Sequence, residues 1–231
     1  VVQARTTRYR SVADLSERAR VSRTVIERLA EASALESLEP DRRAALWHAL
    51  EQPVTTEHRP LFESLPKNDQ CVPILPTLSP QEEVFADYRT TGLSLRNHPI
   101  AFYRAQLDAL RVTPAAALAD APSKRTVAVA GLVLMRQRPG TAKGVTFVTL
   151  EDETGVANLI IHRRTWKKFE FVARRSNALI ATGRLERQHT VVHIIVSRLE
   201  DLQSQLPPPF QVRSRMHVCS GYHRHAWRSF Y

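Results

Sequence analysis

The stretch TVAVAGLVLMRQRPGTAKGVTFVTLEDETGVANLIIH occupies residues 126–162 and decides the fold. Its first part has the period of two that is typical of a β-strand, with one face formed by Val127, Val129, Gly131, Val133 and Met135. The Pro139–Gly144 loop and the Glu153–Gly155 turn punctuate the chain after this strand and after the next one. The pattern therefore predicts second and third strands at Val145–Glu151 and Val156–His162.

The residues that follow predict one helix and two more strands. Arg164 to Val172 has a helical pattern, and alternating stretches follow at Ala178–Glu186 and Thr190–Arg198. Three strands, one helix and two strands in this order are expected of a small five-stranded β-barrel of the OB type. A generic α+β meander is the alternative, but it does not account for a single helix between the third and fourth strands.

The first fifty residues predict short helices instead. Residues suited to cap helix N-termini precede the apolar stretches at Ser11, Ser22 and Asp41. Two short helices joined by a tight turn, with Arg18, Arg20, Arg23 and Arg28 on the outside, fit a helix-turn-helix or helix-hairpin-helix unit. A plain helical subdomain with solvated arginines fits the same pattern. The predicted fold class is thus α+β, with a helix-hairpin-helix-like region before the OB barrel.

Composition shifts divide the chain into five predicted segments. Prolines at 53, 60, 66, 73 and 76 predict an extended connector, and Ser79 to Glu82 reads as a capping box that starts new helices. We expect a helical hairpin region at 1–51, a proline-rich connector at 52–78, a helical segment at 79–122, the OB domain at 123–202 and a basic, disordered tail at 203–231.

Composition excludes several classes of protein. The 231 residues are 43% hydrophobic, too apolar for a disordered acidic chain, yet they contain no apolar run of about 18 residues that would span a membrane. Cys71 and Cys219 lie far apart, which excludes a disulfide scaffold or a four-cysteine zinc site and favours a reducing cytoplasm. Because the chain begins at Val1 and has no signal-peptide pattern, we expect a piece of a longer or a processed protein.

The charge is strongly basic and concentrated in the predicted barrel. The formal net charge is +10, and residues 121–202 hold fourteen basic and seven acidic side chains. A basic excess of this kind favours a polyanionic partner such as nucleic acid. A solvated basic surface without a specific partner is the alternative.

OB barrels bind single-stranded nucleic acid on one face, between the loop joining strands one and two and the loop joining strands four and five. Basic residues flank both predicted loops, namely Arg136, Arg138 and Lys143 at the first and Arg187 and His189 at the second. Phe147 lies in the middle of the second strand and is a candidate for stacking on a base. The alternatives are a core position for Phe147 and a solvated rim for the basic residues.

No catalytic or metal site is predicted. Phosphate-binding loops, nucleophile elbows and paired metal-binding histidines on a helix are absent from the sequence. Glu151 and Asp152 are adjacent, so on a strand they point to opposite sides. The tail residues His217, Cys219, His223 and His225 match no established ligand spacing. The chain is therefore expected to be a binding module without cofactors or an active site of its own.

Several stretches of the sequence resemble one family. Asp87 to Leu95, followed by His98-Pro99, is similar to a signature of the bacterial C-family replicative polymerases, and closest to their error-prone, damage-inducible branch. Arg42 to Trp47 fits the same branch. The segments Val129–Val133, Phe147–Gly155 and Leu199–Leu202 resemble its OB domain, so the resemblance covers about residues 10–202.

The resemblance implies a C-terminal part of an error-prone DNA polymerase, similar to the alpha subunit of polymerase III. Magnesium, nucleotide and catalytic aspartates would then belong to a domain absent from this chain. The helical hairpin would hold duplex backbone and the barrel single-stranded template, in translesion synthesis during DNA repair. The implied partners are DNA, an inactive polymerase-like adaptor and the sliding clamp.

One departure from the family weakens a role for the hairpin. The family's hairpin usually reads Ala-Gly-Ala-Leu, but this chain has Ala32-Ser33-Ala34-Leu35. A side chain at Ser33 is unfavourable if the backbone there needs a positive φ or approaches phosphate. Two other functions also fit the residues, a module that docks polymerase accessory proteins and an OB domain that binds RNA.

Overall fold

The computed structural model describes residues 7–52, 75–142, 144–188 and 191–206. They form two compact units, divided in sequence between Arg96 and Asn97. Both cysteines and the histidines of the tail lie outside the described residues. None of the helices in the described ranges has the length and the apolar composition needed to cross a lipid bilayer.

The first unit is helical. Its helices are α1 (Val12–Ala19), α2 (Arg23–Glu31), α3 (Arg42–Glu51) and α4 (Pro80–Thr90). Ser11, Asp41 and Ser79 accept hydrogen bonds from first-turn amides, and Ser79 forms the reciprocal capping box with Glu82, as the sequence predicts. Ser22 also stands at an N-cap but makes no side-chain cap bond. The core of this unit consists of Tyr9, Val12, Leu15, Ile26, Ala30, Leu35, Ala45 and Ala49.

The turn between α2 and α3 contains the serine that replaces the family's glycine. Ser33 has a φ of 54°, a left-handed conformation that favours glycine. Its hydroxyl accepts a hydrogen bond of 2.6 Å from Nε of Arg42. Of the two reasons considered for a glycine at this position, the positive φ describes this structure, and the serine side chain has a partner.

The second unit is built on a five-stranded barrel. A 3₁₀ turn (Pro99–Tyr103) and α5 (Arg104–Ala109) precede it. The strands are β1 (Thr126–Gln137), β2 (Thr146–Asp152), β3 (Gly155–Ile161), β4 (Ala178–Gln188) and β5 (Val191–Asp201). They close in the order β1-β2-β3-β5-β4, in which only the β3–β5 pair is parallel. The predicted α+β class with an OB barrel is confirmed.

The segment between β3 and β4 differs from the prediction. In place of one helix there are two short ones, α6 (Arg163–Lys168) and α7 (Glu170–Arg175). The chain breaks at Phe169, whose φ of −116° is far from helical values. Trp166 and Ala173 enter the barrel core and Phe169 packs against it, so the break lets both helices bury apolar residues against the barrel.

A β-bulge in β1 changes the predicted faces of that strand. The register of β1 against β2 shifts between Val133 and Met135. Val133 is buried, whereas Leu134 and Met135 are 47% and 45% exposed. The prediction that Met135 lies on the same face of the strand as Val133 is wrong, because the extra residue of a bulge inverts the alternation beyond it.

Candidate nucleic-acid interface

The outer face of β1, β2 and β3 carries a mixed apolar and polar surface, continued onto β5. The strand registers place two rows of residues across it, Gln137–Phe147–Ile160–Ile195 and Met135–Thr149–Asn158–His193. The intervening residues Val148, Leu159 and Ile194 are buried in the barrel core. The two rows therefore point away from the core, as the period of two requires.

Phe147 lies in the first of these rows. Its side chain is 39% exposed, while its neighbour Val148 is 2% exposed. Of the two alternatives that the sequence left open for Phe147, the core position does not describe this structure. An exposed aromatic ring on an OB barrel is the kind of surface on which a nucleic-acid base stacks.

Two arginines approach the loop between β1 and β2 beside this row. Gly144 has a φ of +85°, and a β-carbon built there would lie 3.2 Å from Cδ of Arg163 and 3.5 Å from Nη2 of Arg138. Arg138 is one of the predicted site residues. Arg163, which the sequence analysis missed, stands two residues after the end of β3, and the pairing of Ile161 with Thr146 brings it to this loop.

The strand order, and not a sequence motif, indicates that Arg163 lies at this loop. Antiparallel pairing of β2 with β3 puts the residues just after β3 beside the residues just before β2. Arg163 therefore had to meet the loop that contains Lys143. Lys143 and His189 themselves lie outside the described residues.

Arg136 and Arg187 make hydrogen bonds within the barrel unit. Nη2 of Arg136 donates to the carbonyl of Ser176, and burial lowers the pKa of its guanidinium. Nη2 of Arg187 donates to the carbonyls of Ala119 and Ala121. Both arginines thus bind neighbouring backbone through hydrogen bonds. Arg187 is exposed, and its planar guanidinium has further N–H donors.

The carboxylates at the β2–β3 turn organise the fold. Asp152 is 5% exposed and accepts hydrogen bonds from the amides of Ala115, Thr154 and Gly155 at 2.7–3.0 Å. Arg104 pairs with both Asp152 and Glu153, and the hydrogen bond to Glu153 raises the pKa of its guanidinium. In the described ranges, no three histidine, cysteine or acidic residues are grouped to hold a metal ion.

The turn between α2 and α3 in the helical unit has few groups that could bind a phosphate. The amides of Ala32, Ser33 and Ala34 all donate to carbonyls of α2, at 2.9–3.1 Å. A phosphate held by this turn would need amides that point outward. The hairpin's geometry therefore makes the barrel's outer face the better candidate interface.

The four arginines predicted on the outside of the first two helices divide into two pairs. Arg18 and Arg23 form ion pairs with Asp14 and Glu27 within their own helices. Arg20 and Arg28 are exposed. Half of this predicted basic surface is thus compensated by acidic neighbours, which lowers the local positive potential.

Sequence comparison identifies two known domains in the chain. Residues 127–202 match the family described as an OB-fold nucleic acid binding domain, and residues 1–45 match the helix-hairpin-helix motif. Both matches fall on the parts of the chain where the sequence pattern predicts these folds. The solved structures with similar folds include asparaginyl-tRNA synthetase from Pyrococcus horikoshii complexed with asparaginyl-adenylate, at 20% identity and a TM-score of 0.33, covering 39% of this chain and 22% of that one.

Curated relatives match most of the chain. The error-prone DNA polymerase of Rhodopirellula baltica is 48% identical over 197 residues, which is 85% of this chain and 17% of that protein. Error-prone DNA polymerase 1 of Rhizobium meliloti is 44% identical over 203 residues, 86% of this chain and 18% of that protein. The chain thus spans less than a fifth of the length of these two relatives. The resemblance found in the sequence is confirmed, and the chain is homologous to one segment of the bacterial error-prone DNA polymerases.

Proposed function

We propose that the barrel binds single-stranded DNA on its outer face, with bases stacked on Phe147 and phosphates held by Arg138 and Arg163. The observation that carries this proposal is the exposed Phe147 ring, in a row that begins at Gln137 next to the loop where Arg138 and Arg163 both lie near Gly144. Aromatic stacking together with a basic groove is the general means by which OB domains hold a single strand. The match to an OB-fold nucleic acid binding domain supports it.

The polar row next to Phe147 adds hydrogen-bonding groups. Thr149 Oγ1 lies 3.4 Å from Oδ1 of Asn158, and Asn158 is paired in register with His193. Stacking on Phe147 tolerates any base, because each base has a π-face. We expect these groups to contact the strand beside the stacked base without imposing a strong sequence preference.

In the whole protein, we propose that this segment holds template DNA while nucleotidyl transfer occurs elsewhere. The support is the similarity to error-prone DNA polymerases. The chain would lie in the C-terminal part of such a polymerase, acting in translesion synthesis and DNA repair in the cytoplasm. Magnesium and nucleotide would be held by other parts of the protein, and a polymerase-like adaptor and the sliding clamp are the proposed partners.

The test is binding of the full chain to labelled oligothymidine of about 20 nucleotides, followed by fluorescence anisotropy at several salt concentrations. Phe147→Ala is expected to weaken binding by about 1–3 kcal/mol, the usual contribution of one stacked base. Arg138→Ala is expected to weaken binding and to reduce the salt slope by about 0.7, because one phosphate contact is lost. Arg198→Ala is the matched control, since Arg198 is exposed on β5 and pairs with Glu200.

The results separate the candidate functions. Tight binding that weakens with salt and depends on Phe147 supports the proposal. A folded chain that binds no oligonucleotide at about 50 mM salt overturns it and favours a module that docks accessory proteins. Tighter binding to oligouridine than to oligothymidine would instead favour an RNA-binding domain, because the 2′-hydroxyl would then be recognised.

A further inference from the structure

A second basic surface lies on the two short helices between β3 and β4. Residues 163–175 contain six basic side chains and one acidic side chain, Glu170. All seven are exposed. Beyond Arg163, which approaches the β1–β2 loop, the surface consists of Arg164, Lys167, Lys168, Arg174 and Arg175 together with Phe171, and it is called here the α6–α7 surface.

This surface is attached firmly to the barrel. Trp166 of α6 and Ala173 of α7 belong to the barrel's buried core, and Phe169 and Val172 pack against it. The basic side chains on the opposite sides of these helices therefore project from a fixed support. A binding surface on rigid elements loses less conformational entropy on association than a flexible tail does.

The positive charges on α6 are placed where they destabilise the helix. Arg163 and Lys167 are four residues apart, as are Arg164 and Lys168. Like charges at this spacing repel each other across one helical turn. The acidic residue, Glu170, pairs with Arg174 on α7 at 3.3 Å. Among the described residues, the charges of α6 form no ion pair with a carboxylate. A polyanion on this surface would remove that repulsion.

Phe171 gives the surface an aromatic group among the cations. Its side chain is 72% exposed, the highest exposure of any large aromatic side chain in the described ranges. The guanidinium of Arg175 lies over its ring, 5.1 Å from the centroid. An exposed ring with a cation beside it combines the two contacts that proteins use for single strands, base stacking and phosphate attraction.

The α6–α7 surface is continuous in sequence and space with the outer face. Arg163 begins α6 and approaches Gly144, where Arg138 of the outer face also lies. Each of the two six-residue helices extends about 9 Å, the length of roughly three stacked nucleotides. A strand that passes Arg138 and Arg163 can thus continue along α6 and α7.

We propose that the α6–α7 surface is a second contact site for single-stranded nucleic acid, which binds the part of the strand that leaves the outer face. This inference rests on the proposed function of the outer face. Lys167 and Arg175 hold phosphates, and Phe171 stacks on a base. The site makes binding depend on strand length: a short oligonucleotide fills the outer face alone, and a longer one also reaches α7.

The experiment compares the full chain with oligothymidines of about 6 and about 20 nucleotides by anisotropy, within the range of OB-domain site sizes. Lys167→Gln/Arg175→Gln is expected to weaken binding of the long strand about tenfold and to reduce its salt slope by about 1.4, with the short strand unaffected. Phe171→Ala is expected to weaken binding of the long strand about tenfold and to leave binding of the short strand unchanged. Arg20→Gln/Arg28→Gln removes two exposed charges from the helical unit as the matched control.

Each outcome decides the proposal. A loss of affinity that is confined to the long strand supports the proposal. If the Lys167/Arg175 variant binds both strands as the wild type does, or loses affinity for both strands equally, or if the control pair has the same effect, the second site does not exist. An acidic protein partner would then be the better candidate for this surface. If the wild-type chain binds neither strand, the outer-face proposal falls as well, which is a distinct result.

Discussion

Arg42 Nε donates a hydrogen bond of 2.6 Å to Oγ of Ser33, so the serine that departs from the family's hairpin is tied to α3. Arg42 is 7% exposed, and its other nitrogens contact Glu83 and Asp87 of α4. Arg42 and Asp87 belong to two of the stretches that carry the family resemblance. One buried guanidinium therefore joins the hairpin, α3 and α4 of the helical unit.

Variants of Ser33 separate the backbone strain from the hydrogen bond. Ser33→Ala keeps the positive φ and leaves Arg42 without one acceptor, so it is expected to lower the free energy of unfolding by about 1–3 kcal/mol. Ser33→Gly loses the same bond but relieves the strain, and we expect it to be about 1 kcal/mol more stable than the alanine variant. Urea unfolding followed by circular dichroism at 222 nm tests this order. An alanine variant as stable as the glycine variant would contradict it.

Removing Arg42 itself is expected to have a larger effect. Arg42→Ala leaves the partly buried carboxylates of Glu83 and Asp87 without their main cation. Breaking a buried ion pair from one side costs about 3–5 kcal/mol. The same unfolding measurement checks this, with Arg28→Ala as control: Arg28 is exposed on α2, and its loss should change stability by no more than about 0.5 kcal/mol.

In the barrel, Gly131 allows β1 and β2 to approach closely. A β-carbon at Gly131 would lie 2.5 Å from the carbonyl oxygen of Glu151, closer than van der Waals contact permits. Gly131→Ala must shift backbone on two strands, and we expect a loss of at least about 3 kcal/mol. Gly140→Ala is the control, because a β-carbon there has no neighbour within 4 Å. Thermal unfolding of the two variants should differ clearly; equal melting temperatures would refute the argument.

The barrel could be predicted from the sequence because its signals are local. Alternating residues and the Glu153–Gly155 turn depend on neighbouring residues, and the predicted second and third strands are present. The N-caps at Ser11 and Asp41 of the helical unit could be predicted for the same reason. The bulge after Val133 could not be predicted from alternation, because side chains on both faces of β1 are apolar or small. Only the register of β1 against β2 shows on which side of the strand Leu134 and Met135 lie.

The candidate interface could be predicted only in part, for the same reason. Arg136 and Arg138 are two residues apart and look equivalent in the sequence, but of the two only Arg138 is exposed beside the β1–β2 loop. Arg163 belongs to the interface through pairing between strands. Pairing across the sheet is a tertiary property, so residue type and position alone could not separate Arg136 from Arg138 or find Arg163.

The stability of the barrel unit is expected to depend on pH through His98. Burial lowers the pKa of His98 below 6.5, although the nearby carboxylates of Glu153 and Asp152 act in the opposite direction. Nδ1 of His98 accepts a hydrogen bond of 3.2 Å from the amide of Ile100, which requires that nitrogen to be unprotonated. Both observations favour the neutral imidazole in the folded state.

The sign of the effect follows from proton uptake. Between pH 6.5 and the lower pKa of the folded state, the unfolded chain binds more protons, so the free energy of unfolding falls as the pH decreases through this window. His98→Asn keeps an N-cap acceptor but cannot be protonated, and it should flatten this part of the profile. Urea unfolding of the wild-type chain and of His98→Asn at pH values from about 7.5 to 5 tests it. An unchanged slope in His98→Asn would exclude His98 as its source.

Arg136 and Arg138 should separate stability from binding. Arg136 donates to the carbonyl of Ser176, so Arg136→Ala is expected to lower the free energy of unfolding by about 1–3 kcal/mol, because a partly buried acceptor loses its charged donor. Arg138 is exposed, and Arg138→Ala should leave stability within about 0.5 kcal/mol. Oligonucleotide binding should show the reverse order, with a reduced salt slope only for Arg138→Ala. Equal salt slopes in the two folded variants would assign both arginines to the strand and contradict a purely structural role for Arg136.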